Sequence, residues 1–314
     1  MPFERSTSEW VSPDLRGLWV PVVTPFTASD EVDVPSLRGL AESLLGDGAT
    51  GLVALGTTGE PATLTVQERQ QVVEVCADVC ARSGRRLIVG MGTNSTRTTL
   101  EEVAAWNEVA PGASAVLVNV PYYTRPSEAG IVDHLRRVAE ASAAPVIVYN
   151  IPYRTGRGLG SEALLELAAT EHIIGVKQAV GTLDRDTLAV LAGRPPGFHV
   201  FSGDDAFIAP TTLLGGAGAI AAAAHLRTAT FTALVAAALD GDAGTAAALA
   251  HELLPIVDAG VAEPSPALWK AALAELGLVA HDGVRPPMTA ASTAGTRTLL
   301  AAAASPARPA HALH

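Results

Sequence analysis

Eight short apolar segments, each followed by a stretch of helical periodicity, constrain the fold of this chain more than any other feature. The segments are rich in valine, isoleucine and leucine on both alternating faces, which is typical of parallel strands covered on both sides. Strands are expected at 18–24, 51–56, 87–91, 114–120, 145–149, 173–178, 198–202 and 218–221. Helices are expected at 33–45, 65–81, 98–109, 127–141, 161–169, 183–191 and 205–214, and from about residue 228.

Regular alternation of strands and helices implies parallel pairing through right-handed crossovers. Eight such units in about 240 residues match the size of a (β/α)8 barrel. The rival architecture is a doubly wound open sheet. Its dinucleotide-binding version is disfavoured because no Gly-x-Gly-x-x-Gly turn follows the first strand. The sequence therefore predicts an α/β fold of the TIM-barrel type.

The end of the chain has a different pattern, because alanine and leucine dominate it and no further strand is indicated. We expect helices packed on the barrel, broken by proline-containing segments at 263–266 and 285–287. The chain is therefore divided into four parts. These are an N-terminal leader (1–16), the barrel (17–240), a C-terminal helical region (241–304) and a flexible tail (305–314).

Two of the predicted helices carry local signatures. Thr65 with Glu68, and Thr98 with Glu101, have the spacing of capping boxes and predict helix starts. Cys76 and Cys80 are the only cysteines and lie four residues apart on one helical face. This spacing suits neither a disulfide nor a complete zinc site, so we expect two buried free thiols.

Composition limits the partners and the compartment. The formal net charge of −11 and the pI of about 5.2 argue against nucleic acids and anionic membrane surfaces, but allow a small anionic ligand held by local cations. Residues 1–16 contain no apolar signal-peptide core, and no apolar run is long enough for a convincing membrane span. With few cysteines, the chain is expected to be cytoplasmic.

Lys177 follows a β-branched strand segment and is the first candidate for chemistry. Burying an ammonium ion costs several kcal/mol, so desolvation lowers the pKa of a buried lysine. The neutral amine is a nucleophile that forms Schiff bases with carbonyl compounds. The alternative is a lysine at a strand end whose ammonium group reaches solvent.

Other polar groups follow neighbouring strands, at the end of a barrel where chemistry takes place. The Gly-Thr-Thr-Gly turn at 56–59 offers N–H groups and hydroxyls to a carboxylate, although it could be only a hydroxyl-capped turn. Tyr149 could transfer protons or simply pack in the core. Arg154 could hold a carboxylate in two places or lie free on the surface. Together these groups suit chemistry on a keto acid.

Five segments lie at these strand ends: GTTGE at 56–60, PYYTRP at 121–126, YNIPYRTG at 149–156, GVK at 175–177 and SGDD at 202–205. Together they resemble the dihydrodipicolinate synthase / N-acetylneuraminate lyase family of class I pyruvate-dependent aldolases. The segments occur in order, and the resemblance extends over roughly residues 17–300.

The resemblance implies roles for four catalytic residues. Lys177 would form the Schiff base with pyruvate, and Tyr149 would donate and accept protons. Thr57 would link Tyr149 to Tyr123 in a proton relay. In this family the second tyrosine reaches across from a neighbouring subunit, which implies a homo-oligomer, usually a tetramer built from tight dimers.

The resemblance also implies the binding residues. Thr58 would hold the pyruvate carboxylate, Gly203 and Ile220 would line the pyruvate pocket, and Arg154 would bind the carboxylate of the second substrate. No metal or organic cofactor is expected, because the lysine itself serves as the electron sink. A metal-dependent aldolase is disfavoured, since His199 and His225 are not spaced as ligands.

The turn at Thr57 and Thr58 and the presence of Arg154 favour the synthase branch over the lyase branch. The implied acceptor is a small aldehyde with its own carboxylate, L-aspartate 4-semialdehyde. The implied product is 4-hydroxy-tetrahydrodipicolinate, on the route to lysine and diaminopimelate. Alternatives are another pyruvate-dependent aldolase or hydratase, of the 2-keto-3-deoxy acid or N-acetylneuraminate type, and a non-catalytic barrel that binds a keto acid.

The chain departs from the family pattern at several positions. Tyr153 is bulky where the loop usually has a small residue, and Gln178 replaces a glutamate. Lysine-inhibited synthases carry polar or acidic inhibitor contacts where this chain has Pro61, Val66, Arg69 and Thr98. We therefore predict that L-lysine inhibits poorly. His225, just after the eighth strand, is expected to act as a helix cap rather than a site residue.

Overall fold

The structure is a computed structural model that describes residues 13–304. It contains a closed barrel of eight parallel strands, in which each strand pairs with the next and the last pairs with the first. The strands are β1 (Gly17–Pro21), β2 (Gly51–Ala54), β3 (Arg86–Met91), β4 (Ala115–Asn119), β5 (Val146–Asn150), β6 (Ile173–Gln178), β7 (His199–Ser202) and β8 (Gly218–Ile220). The predicted TIM barrel is confirmed.

Helices cover the outside of the barrel and continue beyond it. Those from β1 to β8 are α1 (Val34–Gly46), α2 (Val66–Arg82), α3 (Thr96–Val109), α4 (Glu128–Ala141), the single turn α5 (Pro152–Thr155), α6 (Ser161–Ala168), α7 (Arg185–Gly193) and α8 (Ile208–Leu213). After β8 come α9 (Thr228–Leu239), α10 (Ala243–Gly260), α11 (Ala267–Glu275) and α12 (Thr293–Ala304). The predicted tail at 305–314 and residues 1–12 of the predicted leader lie outside the described residues.

The two predicted helix starts have different outcomes. The capping box at Thr65 is confirmed, since its hydroxyl accepts a hydrogen bond from Glu68 N (3.2 Å) and its own N–H donates to the Glu68 carboxylate (2.8 Å). The start at Thr98 was wrong, because Ser95 caps α3 and accepts from Thr98 N at 3.3 Å. A serine three residues earlier is itself a strong N-cap, so it takes the role first.

The predicted buried thiols are confirmed. Cys76 and Cys80 lie on the inner face of α2, and neither forms a disulfide. Burial raises the pKa of both thiols, that of Cys80 to about 11. Buried thiols in this state behave as small apolar side chains.

Trp19 closes the N-terminal end of the barrel interior. Its side chain is fully buried, and its indole N–H donates to the carbonyl of Leu15 at 2.8 Å. Gly51 stands opposite Trp19 in the register of β1 and β2. A Cβ atom at Gly51 would lie 2.5 Å from the indole ring and 2.2 Å from the carbonyl oxygen of Arg86. The ring therefore fits only because residue 51 has no side chain.

Hydrophobic burial defines two further layers around this interior. One large cluster lies between the barrel and α1, α2, α8, α9 and α10, and another lies under α4, α6 and α7. Within residues 13–304, no helix combines the length and the apolar character needed to cross a membrane.

We predict that Gly51→Ala destabilises the barrel, because the new methyl group has no space beside Trp19. Overpacking of this kind costs about 1–3 kcal/mol, which should lower the midpoint of urea unfolding. Gly39→Ala is the control, since nothing lies within 4 Å of a Cβ atom at that exposed position of α1. It should raise stability by about 0.5–1 kcal/mol. Equal midpoints for the two variants would contradict this explanation.

Candidate active site

Lys177 lies in β6 and points into the C-terminal end of the barrel. Its side chain is 6% exposed, and its Nζ is 4.3 Å from the centroid of the Tyr149 ring. Register explains this contact, because Tyr149 and Lys177 are direct partners across β5 and β6. Burial lowers the pKa of Lys177 to about 8. At pH 7 about a tenth of the amine is therefore uncharged and nucleophilic.

Two carboxylates oppose this effect of burial. The charges of Asp205 and Asp204 favour the ammonium form of Lys177 and raise its pKa. Asp205 is half-buried; desolvation raises the pKa of its carboxyl, which accepts a hydrogen bond from Ala223 N at 2.7 Å. Asp204 accepts from Gly181 N at 2.6 Å. Both residues belong to the SGDD segment, but no role for either was predicted, because their distance from Lys177 depends on how β6 and β7 pair.

Tyr149 and Thr57 are brought together from β5 and from the turn after β2. The Tyr149 side chain is 7% exposed, and burial raises the pKa of its phenol to about 12. A side-chain hydrogen bond with Thr57 acts in the opposite direction and favours the phenolate. The arrangement places the hydroxyl groups of Tyr149 and Thr57 near Lys177, a geometry suited to proton transfer.

The other predicted pyruvate-binding positions lie at or just after the ends of β2, β7 and β8. Thr58 is buried within a 3-10 helix of one turn, Thr57–Gly59. A Cβ atom at Gly203 would lie 2.9 Å from Cε of Lys177, so the glycine allows the lysine side chain to pass. Ile220 is fully buried in the same interior cluster as Tyr149.

A cavity of about 440 Å³ opens beside these groups. Thr57, Tyr149 and Arg154 line it, together with Tyr122. Lys177 does not line this cavity, whereas its neighbour Tyr149 does. In the described part of the chain Arg154 forms no ion pair, and its guanidinium lies 5.7 Å from the centroid of the Tyr153 ring. A cation at the rim of a cavity suits an anionic substrate.

Tyr123 is the one predicted catalytic residue that stands apart from the others. Its side chain is 86% exposed, and its backbone has a positive φ of 70°. The backbone N–H donates to Thr155 O at 3.1 Å, which ties the loop to α5. In the single chain the Tyr123 side chain therefore projects from the protein surface into solvent.

Gln178, the residue after the lysine, forms a neutral buried network. Its side-chain oxygen accepts from Asn150 Nδ2 at 2.8 Å, and its Nε2 donates to the Thr187 hydroxyl at 3.0 Å. An amide provides both the donor and the acceptor that these neighbours need. Its neutrality also adds no further negative charge beside Lys177.

Both ring nitrogens of His225 contact backbone groups. One ring nitrogen accepts from Val23 N at 3.2 Å, and the other lies 2.8 Å from Ala222 O. Burial lowers the pKa of His225 to about 4, so the ring is neutral. It connects the turn after β8 to the end of β1. Among residues 13–304, no group of three or more histidine, cysteine, aspartate or glutamate side chains is placed to hold a metal ion.

Comparison with known proteins identifies the family. The profile of the Dihydrodipicolinate synthetase family matches residues 14–305. The chain belongs to this family. A 4-hydroxy-tetrahydrodipicolinate synthase from Salinibacter ruber is 40% identical over 279 residues, which are 87% of this chain and 89% of the relative. The resemblance inferred from the five strand-end segments is thereby confirmed.

Two solved structures share the fold over most of their length. The chloride-inhibited dihydrodipicolinate synthase from Acinetobacter baumannii, complexed with pyruvate, has a TM-score of 0.87 and 33% identity, covering 92% of this chain and 98% of that one. The synthase from Cyanidioschyzon merolae with lysine bound has a TM-score of 0.87 and 31% identity, covering 91% and 96%.

We predict that the reactivity of Lys177 follows its lowered pKa. Reductive methylation by formaldehyde and cyanoborohydride needs the neutral amine, so its rate should fall about tenfold per pH unit below pH 8 and level off above it. Peptide mass spectrometry separates this site from Lys270, which is fully buried and should stay unmodified. A midpoint near 10.5, the ordinary lysine value, would show that burial does not control the amine.

Proposed function

We propose that the protein condenses pyruvate with L-aspartate 4-semialdehyde through a Schiff base at Lys177, releasing 4-hydroxy-tetrahydrodipicolinate. The observation that carries this proposal is the buried amine of Lys177, which lies 4.3 Å from the ring of Tyr149. Family membership and the relatives' names support it. We place the reaction in the cytoplasm, where reducing conditions keep Cys76 and Cys80 as thiols.

Imine formation comes first. The neutral amine of Lys177 attacks the ketone carbon of pyruvate, and the resulting carbinolamine loses water to give the imine. Tyr149, with Thr57, supplies the proton that the departing oxygen needs. The hydroxyls and N–H groups at Thr58 bind the carboxylate, while Gly203 and Ile220 leave only the space that a three-carbon acid requires.

Carbon–carbon bond formation follows. Loss of a methyl proton converts the imine to an enamine, whose carbon attacks the aldehyde carbon of the acceptor. The aldehyde oxygen takes up a proton and becomes the 4-hydroxyl group. The amine of the adduct then attacks the imine carbon, Lys177 leaves as a free amine, and the ring closes. We assign the acceptor carboxylate to Arg154, because this cation lines the cavity beside Tyr149.

A second subunit completes the proton relay in this proposal. Tyr123 is exposed and projects from a loop with a strained backbone, so a neighbouring chain can receive it. We propose a tight dimer, assembled into a tetramer, in which Tyr123 of each chain reaches the Thr57 of its partner. Sedimentation analysis that finds only monomers in the active enzyme would refute this arrangement.

We predict that Arg154→Ala impairs use of the acceptor but not of pyruvate. Loss of a charge-assisted carboxylate contact costs about 1.5–3 kcal/mol, so KM for aspartate semialdehyde should rise by about tenfold or more. Arg157→Ala is the matched control, since Arg157 is an exposed cation three residues away and does not line the cavity. Its kinetic constants should stay at wild-type values in a coupled assay.

Borohydride trapping tests the Schiff base itself. With pyruvate present, wild type and both arginine variants should gain the mass of a reduced pyruvate adduct on the peptide that contains Lys177, and Lys177→Met should gain none. Absence of the adduct in wild type would refute the proposed function. An adduct together with turnover of a different aldehyde, and none of aspartate semialdehyde, would move the protein to another aldolase of the family.

We predict that L-lysine inhibits turnover only weakly. Val66 is 71% exposed and offers no polar contact, and the Thr98 hydroxyl is bound to Ser95 at 3.2 Å. Arg69 pairs with Glu102 at 2.9 Å, and Pro61 lines the cavity without a donor. These four positions therefore offer no acidic group to bind the amino groups of L-lysine. Lysine titration in the coupled assay should leave most of the activity at millimolar inhibitor, and strong inhibition would contradict this prediction.

A further inference from the structure

Glu60 directly follows the substrate-binding turn and has an unusual backbone. Its φ of 53° and ψ of 40° lie in the left-handed region, which disfavours residues other than glycine. Its N–H donates to Thr57 O at 3.2 Å and thereby closes the 3-10 turn Thr57–Gly59. A residue persists in this conformation only where its surroundings hold it there.

The Glu60 carboxylate is held by groups from outside the barrel. One oxygen lies 2.8 Å from Nζ of Lys270 in α11, and the other accepts from the backbone N–H of Arg285 at 3.1 Å. The side chains of Glu60 and Lys270 are 4% and 0% exposed. An ion pair so completely removed from water depends on both partners, because either charge alone would be left buried and uncompensated.

Phe26 connects the two cations. Its ring centroid is 4.0 Å from Nζ of Lys270 and 4.3 Å from Cζ of Arg285, and the ring is 1% exposed. Cations within this distance are attracted to the face of an aromatic ring. Since Phe26 lies just after β1, the contact fixes the C-terminal residues to the barrel beside the turn.

Arg285 fastens the rest of the loop between the turn and α2. Its guanidinium donates to Thr63 O at 3.0 Å and to the Glu68 carboxylate at 2.9 Å, and it also pairs with Asp30 at 3.1 Å. The loop from residue 57 to 68 is therefore held at Glu60, at Thr63 and at the start of α2. Arg285 makes a contact at each of these three points, and Lys270 adds a second contact at Glu60.

The presence of a lysine at position 270 is itself unusual for this chain. Of the 21 lysine and arginine residues in the chain, only Lys177 and Lys270 are lysines. Arginine supplies every other cationic side chain of this kind, including those at the exposed ion pairs. A lysine ammonium is compact, whereas the larger guanidinium needs space for its five donors. Full enclosure of Lys270 against Phe26 and Glu60 accounts for the exception.

The same C-terminal segments form one wall of the cavity. Ser265, Pro266, Pro287 and Met288 line it opposite Thr57 and Tyr149. Pro266 lies four residues before Lys270, and Pro287 lies two after Arg285. The groups that grip Glu60 therefore belong to the chain segments that shape the space beside the reacting groups.

We propose that Glu60, Lys270 and Arg285 form a positioning clamp, through which the C-terminal helical region holds the Thr57–Gly59 turn in the geometry that binds the keto-acid carboxylate. This inference rests on the proposed function and deepens it. Glu60 lines the cavity, but both of its carboxylate oxygens are bonded to Lys270 and Arg285, so we assign the three residues a positioning role rather than a catalytic one. Their effect is to preorganise the N–H groups and hydroxyls of the turn, which have only two backbone hydrogen bonds of their own, Gly59 N to Gly56 O and Glu60 N to Thr57 O.

The decisive variant removes both charges together. In Glu60→Gln/Lys270→Met the volumes are nearly kept and no uncompensated charge stays buried, so the chain should fold. We expect KM for pyruvate to rise about tenfold or more, with kcat changed much less, because binding of the carboxylate is weakened in the ground state and the transition state alike. Single variants should be less stable than the double variant.

Arg285→Met is an independent test that leaves the Lys270–Glu60 pair in place. The backbone N–H that binds Glu60 is retained, whereas the contacts with Thr63 and Glu68 are lost. KM for pyruvate should rise by a smaller factor than in the double variant. This result is decisive by itself if the double variant does not fold.

The matched control is Glu252→Gln/Arg227→Met. This pair also joins the C-terminal region to a barrel loop, and Arg227 likewise has a positive φ of 55°, but neither side chain contacts the turn at 57–60. Its KM for pyruvate should stay at the wild-type value.

Borohydride trapping at saturating pyruvate measures the concentration of enzyme that can form the Schiff base. This measurement separates a failure of the proposed function from a failure of the positioning clamp. Wild type that forms no adduct would refute the proposed function. Wild type that forms the adduct, with a folded double variant or Arg285→Met at wild-type KM, would overturn the clamp. A KM increase equal to that of the control pair would overturn it as well.

Discussion

The candidate active site depends on the burial of one lysine amine away from water. Burial in β6 favours the neutral form of Lys177, whereas Asp204 and Asp205 favour the ammonium form. The balance leaves a pKa of about 8, which suits the proposed role of Lys177, because the amine can attack as a nucleophile and can take up a proton when it leaves. A fully apolar pocket would lower the pKa further, and an exposed strand end would not lower it.

The barrel supplies this environment through register. Parallel pairing of β5 and β6 places Tyr149 directly beside Lys177, and Gly203 at the end of β7 leaves space for the lysine side chain. At the opposite end, Trp19 fills the interior over Gly51. One end of the barrel is therefore packed solid, while the other carries the polar groups, which is the usual division between stability and chemistry in this fold.

The C-terminal helices take part in this division. The C-terminal region buries apolar surface against the barrel, and it also delivers the ammonium group of Lys270 and the backbone N–H of Arg285 to the Glu60 carboxylate, directly after the Thr57–Gly59 turn. A short turn with a left-handed residue cannot fix its own geometry, so the support must come from elsewhere in the chain. The contacts span more than 200 positions, as between Lys270 and Glu60, which are 210 residues apart.

Local periodicity and strand-end residues determined much of this protein in advance. The eight strands, the barrel and the family followed from apolar runs and five short segments, because a buried parallel strand leaves a continuous apolar signal. Buried Cys76 and Cys80 followed from helical spacing. Helix starts were less secure, since Ser95 and Thr98 compete as caps and only the folded backbone selects one.

Tertiary structure alone decided the partners of the charged groups. The sequence indicated Lys177, but not that the charges of Asp205 and Asp204 would act on it, and it indicated no role for Glu60, Lys270 or Arg285. Ionic contacts between distant segments carry no periodicity, and a buried lysine in an apolar helix looks like any other charged residue until its partner is placed. Short-range patterns fix which elements form, whereas the energy of a buried charge depends on the three-dimensional arrangement of all that surrounds it.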